Sequence, residues 1–540
     1  MIEDNKIEEA HEIGATKNSY VYLIPILMGV TLALGVWLGT MFLPSGATVN
    51  NTTIIENSNK YSTILELIEN RYVDSVDHEM LIESSIQGMI QKLDPHSSYI
   101  PAQDLERVNE QLEGKFGGVG IRFLIHNDTL VATHIMPNSP SLRAGMMAGD
   151  RLIEVDGEDI STGDISNEKV MNLLKGKAGS EVKVKVYRQG LVKNLSIIRG
   201  SIGVSSIDAA IMLTSEIGFI KLNSFTMQAG AEFQAAAQSL KELGMKKLVF
   251  DLRNNGGGYM SEATDISDQF LKSGKLIVYT EGRMQPRQNY ESSSRGILED
   301  MELVILINSL SASASEIVAG AIQDNDRGYI LGRRSFGKGL VQDQQELTDG
   351  SALRLTISRY YTPTGRSIQK PYGEGIDYEN DYFERLESGE LLNEDSVKVD
   401  ESLKFVTEGG RVVYGGGGIY PDIFIPNDTL GASYYLTDLY YSNVFNHWAV
   451  NYLDKNRKRL KDFDAFNRSF KVTTTMFENF IDYAETLGVE PRPIDIVTSR
   501  NVIKNRMKAE IARHVWQDNG YYSVYLEDDL DVKNAIKHFD

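Results

Sequence analysis

Four serines stand at alternate positions in "SLSASASEIVAG", Ser309, Ser311, Ser313 and Ser315, directly before a stretch that reads as a helix. A serine hydroxyl becomes a nucleophile only beside a group that takes its proton. Histidine is the usual base, but the eight histidines lie at 11, 78, 96, 126, 134, 447, 514 and 538, none in the segment that reads as an α/β core. A His-based triad therefore needs an imidazole supplied by an outlying segment. Lysine is the other candidate, because burial disfavours the ammonium and lowers its pKa toward neutrality. Lys338, between Gly337 and Gly339 in "RSFGKGLVQ", fits that part. If "GLVQ" is a strand, even spacing places Lys338 and Gln342 on one face, where the Gln342 amide oxygen can hold the amine. A plainer reading competes. Ser313-Ala314-Ser315-Glu316 fits S-x-x-E ahead of an apolar helix, a capping box.

The elements around the serines favour chemistry. From Ile217 onward, near-continuous apolar strands ("IGFIKL", "KLVFDL", "ELVILIN") alternate with helical segments, the pattern of a sheet buried on both faces in an α/β fold. The serines follow "ELVILIN", at the carboxyl edge where open α/β sheets place their sites. The amides opening the next helix point outward with the helix dipole behind them, ready for a developing oxyanion. A second backbone donor is available from "NNGGG", after the neighbouring strand "KLVFDL". Gly332 to Lys338 also satisfies G-x-x-x-x-G-K, but Gly339 stands where a P-loop needs Ser or Thr, and "LVQDQQEL" does not read as the required helix.

The bulk composition narrows the class. A net charge of −20 argues against a nucleic-acid binder, which normally carries a basic face. With no cysteine, disulfides and thiolate metal sites are excluded. Tyr20 to Leu43 is 24 residues without a charge, long enough to cross a bilayer core of about 30 Å. Lys6 and Lys17 precede it and no Lys or Arg follows until Lys60, so the short N-terminus is expected inside and the rest exported. A cleaved signal peptide is the competing reading, with "LPSGATVNN" offering no good cleavage site.

The expected organisation is a cytoplasmic tail (1–19), a transmembrane anchor (20–43), and a spacer with a helical region broken by "LDPHSSYI" (44–112). A small mixed unit follows (113–202), then the α/β core (203–426) with an acidic insertion or surface arm (370–410), and a separate helical domain (427–540). In the small unit, the glycines of "FGGVGI" precede an edge strand, an arrangement that gathers amides for a peptide carboxylate and then adds the peptide as a strand.

Together these stretches resemble the carboxyl-terminal processing peptidases, or tail-specific serine proteases. The resemblance spans about Tyr61 to Ile425 and rests on "YVD", "LDPHSSYI", "GGVGI", "DLRNNGGG", "SASASEI", "GRRSFGKGLVQ", "YYTPTGRSIQ" and "GGIYPDI". It implies a crotonase/ClpP-like α/β protease core with a PDZ domain, an N-terminal helical segment and a C-terminal helical domain. It implies Ser313 as nucleophile, Lys338 as base 25 positions on, and Gln342 as the residue orienting the lysine. The oxyanion donors would be the amides of Ala314 and Gly257, with Gly256 the alternative to Gly257. Gly118, Val119, Gly120 and Ile121 would receive a substrate's carboxylate in the PDZ domain. The implied protein is a single-pass membrane endopeptidase, catalytic on the periplasmic or extracytoplasmic side, without metal or cofactor. Its partners would be protein or peptide substrates with free C-termini. A homo-oligomer or adaptor contact through the C-terminal domain is a further expectation, a structural cap its rival. A non-catalytic PDZ scaffold is the alternative function.

Overall fold

The computed structural model describes residues 31, 34, 51–126, 129–161 and 165–540. The chain divides into two units, Met1–Ser85 and Ile86–Asp540. But for Thr31 and Leu34, the expected anchor lies outside the described residues, and among those described no helix is long and apolar enough to cross a membrane. The first unit contains the helix Asn51–Arg71, followed by the start of the helix His78–Ile90. Ile64 and Leu67 lie in the first of these helices and are exposed.

In the second unit, residues 115–203 build a small β-domain whose main sheet joins Ile121–His126, Thr129–Ile135, Arg151–Val155, Glu181–Arg188 and Leu191–Ile198. "EVKVKV" shows how sequence becomes packing here. Val182, Val184 and Val186 alternate with charged neighbours, so the pleat turns all three valines into the core and leaves Glu181 and Lys183 exposed. The helix Asn167–Leu174 closes that core with Val170 and Leu174.

The larger sheet has six strands in the order Ile207–Met212, Ile217–Leu222, Lys247–Asp251, Glu302–Ile307, Tyr329–Gly332 and Ile423–Phe424. Only the first pair is antiparallel. Successive residues point to opposite faces. Leu248, Phe250, Leu303 and Ile305 pack against the helices Ala229–Glu242, Met260–Asp268 and Ala314–Asp324. Val249, Val304, Leu306 and Leu331 face the other way, onto Leu526, Val532, Ala535 and Phe539. The chain's final helix, Leu530–His538, thus covers the second face of the larger sheet. The rest of the C-terminal region has a core of its own around Tyr435, Trp448, Phe480 and Met507.

A second sheet stands beside the first, where Ala352–Tyr361 pairs with Ser98–Ile100, Leu276–Glu281 and Leu340–Glu346. The strand Ser98–Ile100 belongs to the "LDPHSSYI" stretch, which therefore folds onto the α/β core.

Charge ties the C-terminus to two strand ends. Asp531 accepts from Arg333 at 2.7 and 2.9 Å and from Arg253 at 2.8 Å, and Asp529 takes the same Arg253 nitrogen at 3.0 Å. Removing one partner from such a buried cluster leaves a charge without compensation. Asp531→Ala is therefore expected to destabilise the chain by about 3–5 kcal/mol, read as a lowered urea midpoint with unchanged slope.

Candidate active site

Three adjacent parallel strands, Lys247–Asp251, Glu302–Ile307 and Tyr329–Gly332, deliver three loops to one edge: the glycine loop, the serine turn and the lysine loop. The carboxyl-edge placement read from the sequence is realised.

Ser313 sits half-buried at the N-cap of the helix Ala314–Asp324 with φ 56° and ψ −112°. A residue with a Cβ held at positive φ carries strain of order 1–3 kcal/mol, which persists only where surrounding contacts fix it. Those contacts come from the flanking serines. Ser311 Oγ donates to the Leu252 carbonyl at 2.8 Å and Ser315 Oγ to the Asn255 carbonyl at 2.9 Å, both hydroxyls fully buried. The alternate serines are thus divided in role, with two bolting the turn to the glycine loop and Ser313 left between them.

Glu316 does more than cap. Its carboxylate, fully buried, accepts the Ser313 and Lys338 amides at 2.8 and 2.9 Å, the Gly337 amide at 2.7 Å, and the Ser335 hydroxyl at 2.5 Å. One side chain therefore joins the serine turn to the lysine loop. Burial pushes its pKa up to about 6, against the lowering effect of those four donors.

The lysine loop has a complete set of backbone partners. Phe336 N–H donates to the Ser311 carbonyl, those of Gly337 and Lys338 to Glu316, and that of Gly339 to Gln369 Oε1. The carbonyls of Ser335 and Phe336 accept from Arg385 at 2.8 and 3.2 Å, and that of Gly337 from the Lys370 amide. The Tyr360 hydroxyl donates to the Lys338 carbonyl at 2.6 Å and lies 3.1 Å from the Ser313 carbonyl, while the Tyr360 amide takes the Gly339 carbonyl. The Lys338 side chain is left without a carboxylate within ion-pair distance among the described residues. Burial first, then Arg354, lowers its pKa, with Glu316 and Asp94 opposing.

Gln342 lies in the strand Leu340–Glu346, but Lys338 precedes that strand, and the register slips between Val341 and Gln342. The even-spacing argument therefore does not hold, because Gly337 at φ 91° turns the chain and the bulge resets the alternation. Gln342 Nε2 instead donates to Thr356 Oγ1 at 3.2 Å.

Gly257 has φ 102°, and a Cβ there would lie 2.8 Å from Ser313 Cβ and 3.0 Å from the Ala314 nitrogen, so the two expected oxyanion donors are neighbours. The Ala314 and Gly256 amides have no acceptor among the described residues, whereas the Gly257 amide donates to Asn255 Oδ1 at 2.9 Å. In the β-domain, Val119 and Gly120 link two strands, with Gly118 ending one and Ile121 opening the next. Their carbonyls accept from Ser141 and Met136, and among the described residues neither amide has an acceptor.

Two segments join the site from a distance. His96, whose ring feels the Lys338 charge, hydrogen-bonds the Tyr378 hydroxyl through Nε2 at 2.8 Å. Burial, reinforced by Lys338, depresses its pKa to about 4, so the ring is neutral at pH 7. The stretch 370–410, expected as a surface arm, is in part a strap over the lysine loop. Buried Lys370 lies 3.9 Å from the Phe336 ring, and Arg385 is 3% exposed. The sequence reading missed Glu316, Tyr360, Arg385 and Asn255 as site residues. Only Glu316 left a signal, as the lone charge in the apolar stretch "ASEIVAGAI".

Comparison with known proteins bears on what this geometry serves. Residues 216–379 match Peptidase family S41, 117–198 a PDZ domain, 42–104 the N-terminal domain of the activating protease CtpB, and 435–518 a family of unknown function. The chain is 37% identical over 317 residues to the carboxy-terminal-processing protease of Bartonella bacilliformis, covering 57% of this chain and 72% of that one. This chain belongs to the carboxyl-terminal processing peptidase family. A probable CtpA-like serine protease of Staphylococcus aureus is 33% identical, over 65% of this chain and 71% of the relative. Among solved structures, the photosystem II D1 C-terminal processing protease aligns at 25% identity over 66% of this chain and 85% of that one, with a TM-score of 0.36. The peptidase is thus of the serine type, with a PDZ domain at the small β-domain and an S41 core.

Proposed function

We propose that this peptidase is a membrane-anchored endopeptidase that cuts exported proteins near their C-termini with a Ser313–Lys338 dyad. One observation carries the reading. Glu316 holds the nucleophile turn and the lysine loop on a single carboxylate, and Lys338 emerges from a fully satisfied backbone with a lowered pKa and no carboxylate partner among the described residues.

In this scheme neutral Lys338 takes the proton from Ser313 Oγ as the oxygen attacks the scissile carbonyl. The oxyanion rests on the Ala314 amide, at the positive end of the helix dipole, and on a glycine of the neighbouring loop. Gly257 serves only by exchanging its Asn255 partner for the oxyanion; Gly256 needs no exchange. Lysine then protonates the leaving amine, and water resolves the acyl-enzyme. Gln342 orients the lysine. Residues 20–43 anchor the chain, with the catalytic part on the extracytoplasmic side, supported by the lysines that precede the apolar run. The PDZ domain takes the substrate's terminal carboxylate on the amides of Gly118, Val119, Gly120 and Ile121. The final helix acts as a structural cap on the catalytic sheet.

The test uses one polypeptide substrate with a hydrophobic C-terminus, free or amidated. A charge-assisted set of hydrogen bonds contributes about 1.5–3 kcal/mol, so amidation is expected to slow cleavage at low substrate at least about tenfold. Equal rates would remove the PDZ role. Binding of the free tail without cleavage would favour the non-catalytic scaffold.

A further inference from the structure

The leader motif "LDPHSSYI" is absorbed by none of the chemistry above, yet it folds against the strand that faces Gln342. Ser98, Tyr99 and Ile100 pair with Arg354, Leu353 and Ala352, and the Thr356 amide donates to Ser97 Oγ at 3.0 Å. Asp94 is buried in the turn before that strand. Its Oδ1 accepts the His96 and Ser97 amides, both at 2.8 Å, and its Oδ2 the Ser97 hydroxyl at 2.7 Å. One further donor reaches it from the catalytic side, Thr356 Oγ1 at 3.1 Å. Thr356 sits opposite Gln342 in the strand pairing and receives Gln342 Nε2 on the same hydroxyl.

We propose that Asp94 is a positioning residue for the catalytic lysine, acting through Thr356 to fix which end of the Gln342 carboxamide faces Lys338. This rests on the Ser313–Lys338 reading and on Gln342 as the residue that orients the lysine. The direction of the chain follows from donor and acceptor capacity. An ionised carboxylate can only accept, so the Thr356 hydroxyl gives its one proton to Asp94 and has only lone pairs left. Gln342 must then present its NH₂ to Thr356, which leaves the carbonyl oxygen as the end available to the lysine amine. An unanchored threonine would accept either orientation, and a flipped Gln342 would point N–H donors at the ammonium. Hydrogen bonds from Ser97, His96 and Thr356 outweigh burial and hold the Asp94 carboxyl below its usual range, so the anchor is ionised at neutral pH. The charged groups that bear on Lys338 are Arg354, Glu316 and Asp94, with neutral His96 beside them and Lys370 beyond it.

The experiment follows cleavage of fluorescein-labelled casein by the full chain in detergent micelles, from pH 6 to 10, with the melting temperature of each variant. Thr356→Val keeps shape and removes the relay. It is expected to lower kcat about tenfold to a hundredfold, part of what a positioned base supplies, with KM within about twofold. Thr356→Ser restores the hydroxyl and is expected to stay within about threefold of the parent, a level that general-base loss would not allow. Asp94→Asn lowers kcat as well. It also moves the rising limb of the pH profile to lower pH, because a negative charge that favours the lysine ammonium is gone. Thr356→Val, which retains that charge, shifts the limb less. If Thr356→Val does not fold, the contrast between Thr356→Ser and Asp94→Asn carries the test. Equal losses in the Ser and Val variants, or an Asp94→Asn variant with the parent's kcat, mark a packing role and overturn the relay. Ser313→Ala and Lys338→Ala are run in parallel. If they retain activity, it is the dyad reading that falls, whatever the relay variants do.

Discussion

Lys338→Met is expected to reduce casein hydrolysis to the background of Ser313→Ala while leaving the fold intact. Removing the nucleophile or base of such a unit costs on the order of 10⁴–10⁶-fold in kcat, and the two losses do not add. The fold should survive because the lysine loop is held through its backbone, to Glu316, Gln369, Arg385 and Tyr360, and not through the ammonium. Methionine keeps the apolar stem in place. The stability change has a definite sign. Burial lowers the folded pKa of Lys338, so between that value and the unfolded value of about 10.4 the unfolded chain binds the extra proton. The parent therefore loses stability as pH falls through this window, and Lys338→Met does not. Activity runs oppositely to protonation, rising with pH through the folded lysine pKa, below its ordinary value. Urea titrations at pH 8 and 10, beside initial rates, read both effects.

Glu316→Gln is the second large loss, in activity and in stability together. The carboxylate offers both oxygens to four donors, and a carboxamide has one oxygen. Whichever way it turns, its NH₂ meets two donors. At about 1–3 kcal/mol for each buried donor left without a partner, the variant is expected to lose about 2–6 kcal/mol. Activity should fall at least about a hundredfold, since both catalytic loops lose their common support. The pH dependence separates this from a general loss of packing. With its folded pKa raised to about 6 from an ordinary 4.5, Glu316 favours the folded state most below pH 4.5, and that contribution disappears as pH rises through 6. The parent should lose about 2 kcal/mol from this group between pH 4 and 7. The variant, with nothing to titrate there, should not. Urea midpoints across that range measure the difference.

Much of this was legible in the sequence where the pattern was local. Apolar runs of strand length alternating with helical stretches gave the sheet, and their order placed the glycine, serine and lysine loops on one edge. The alternation in "EVKVKV" matches the inner face that the valines take in the PDZ sheet. What escaped was whatever depended on contacts between distant segments. S-x-x-E is satisfied by helix capping, so nothing in it announces that Glu316 also holds a loop 22 positions on. Lys338 and Gln342 look in phase by counting, but a glycine turn and a bulge intervene. Asp94 meets Thr356 across 262 positions, and acidic 370–410 hides two buried cations, Lys370 and Arg385, that bind the lysine loop. The helices after 427 read as a domain apart, since the apolar side of the final one gives no hint that its partner is the central sheet.

The most direct test of the central claim is the site and pH dependence of covalent labelling. The full chain is treated with a fluorophosphonate from pH 6 to 10, digested, and the adduct located by mass spectrometry. The account predicts a single adduct on Ser313, formed at a rate that rises with pH through an ionisation below about 10.4 and that is lost in Lys338→Met. An adduct on Ser311 or Ser315, or a Ser313 labelling rate that Lys338→Met leaves unchanged, would contradict it.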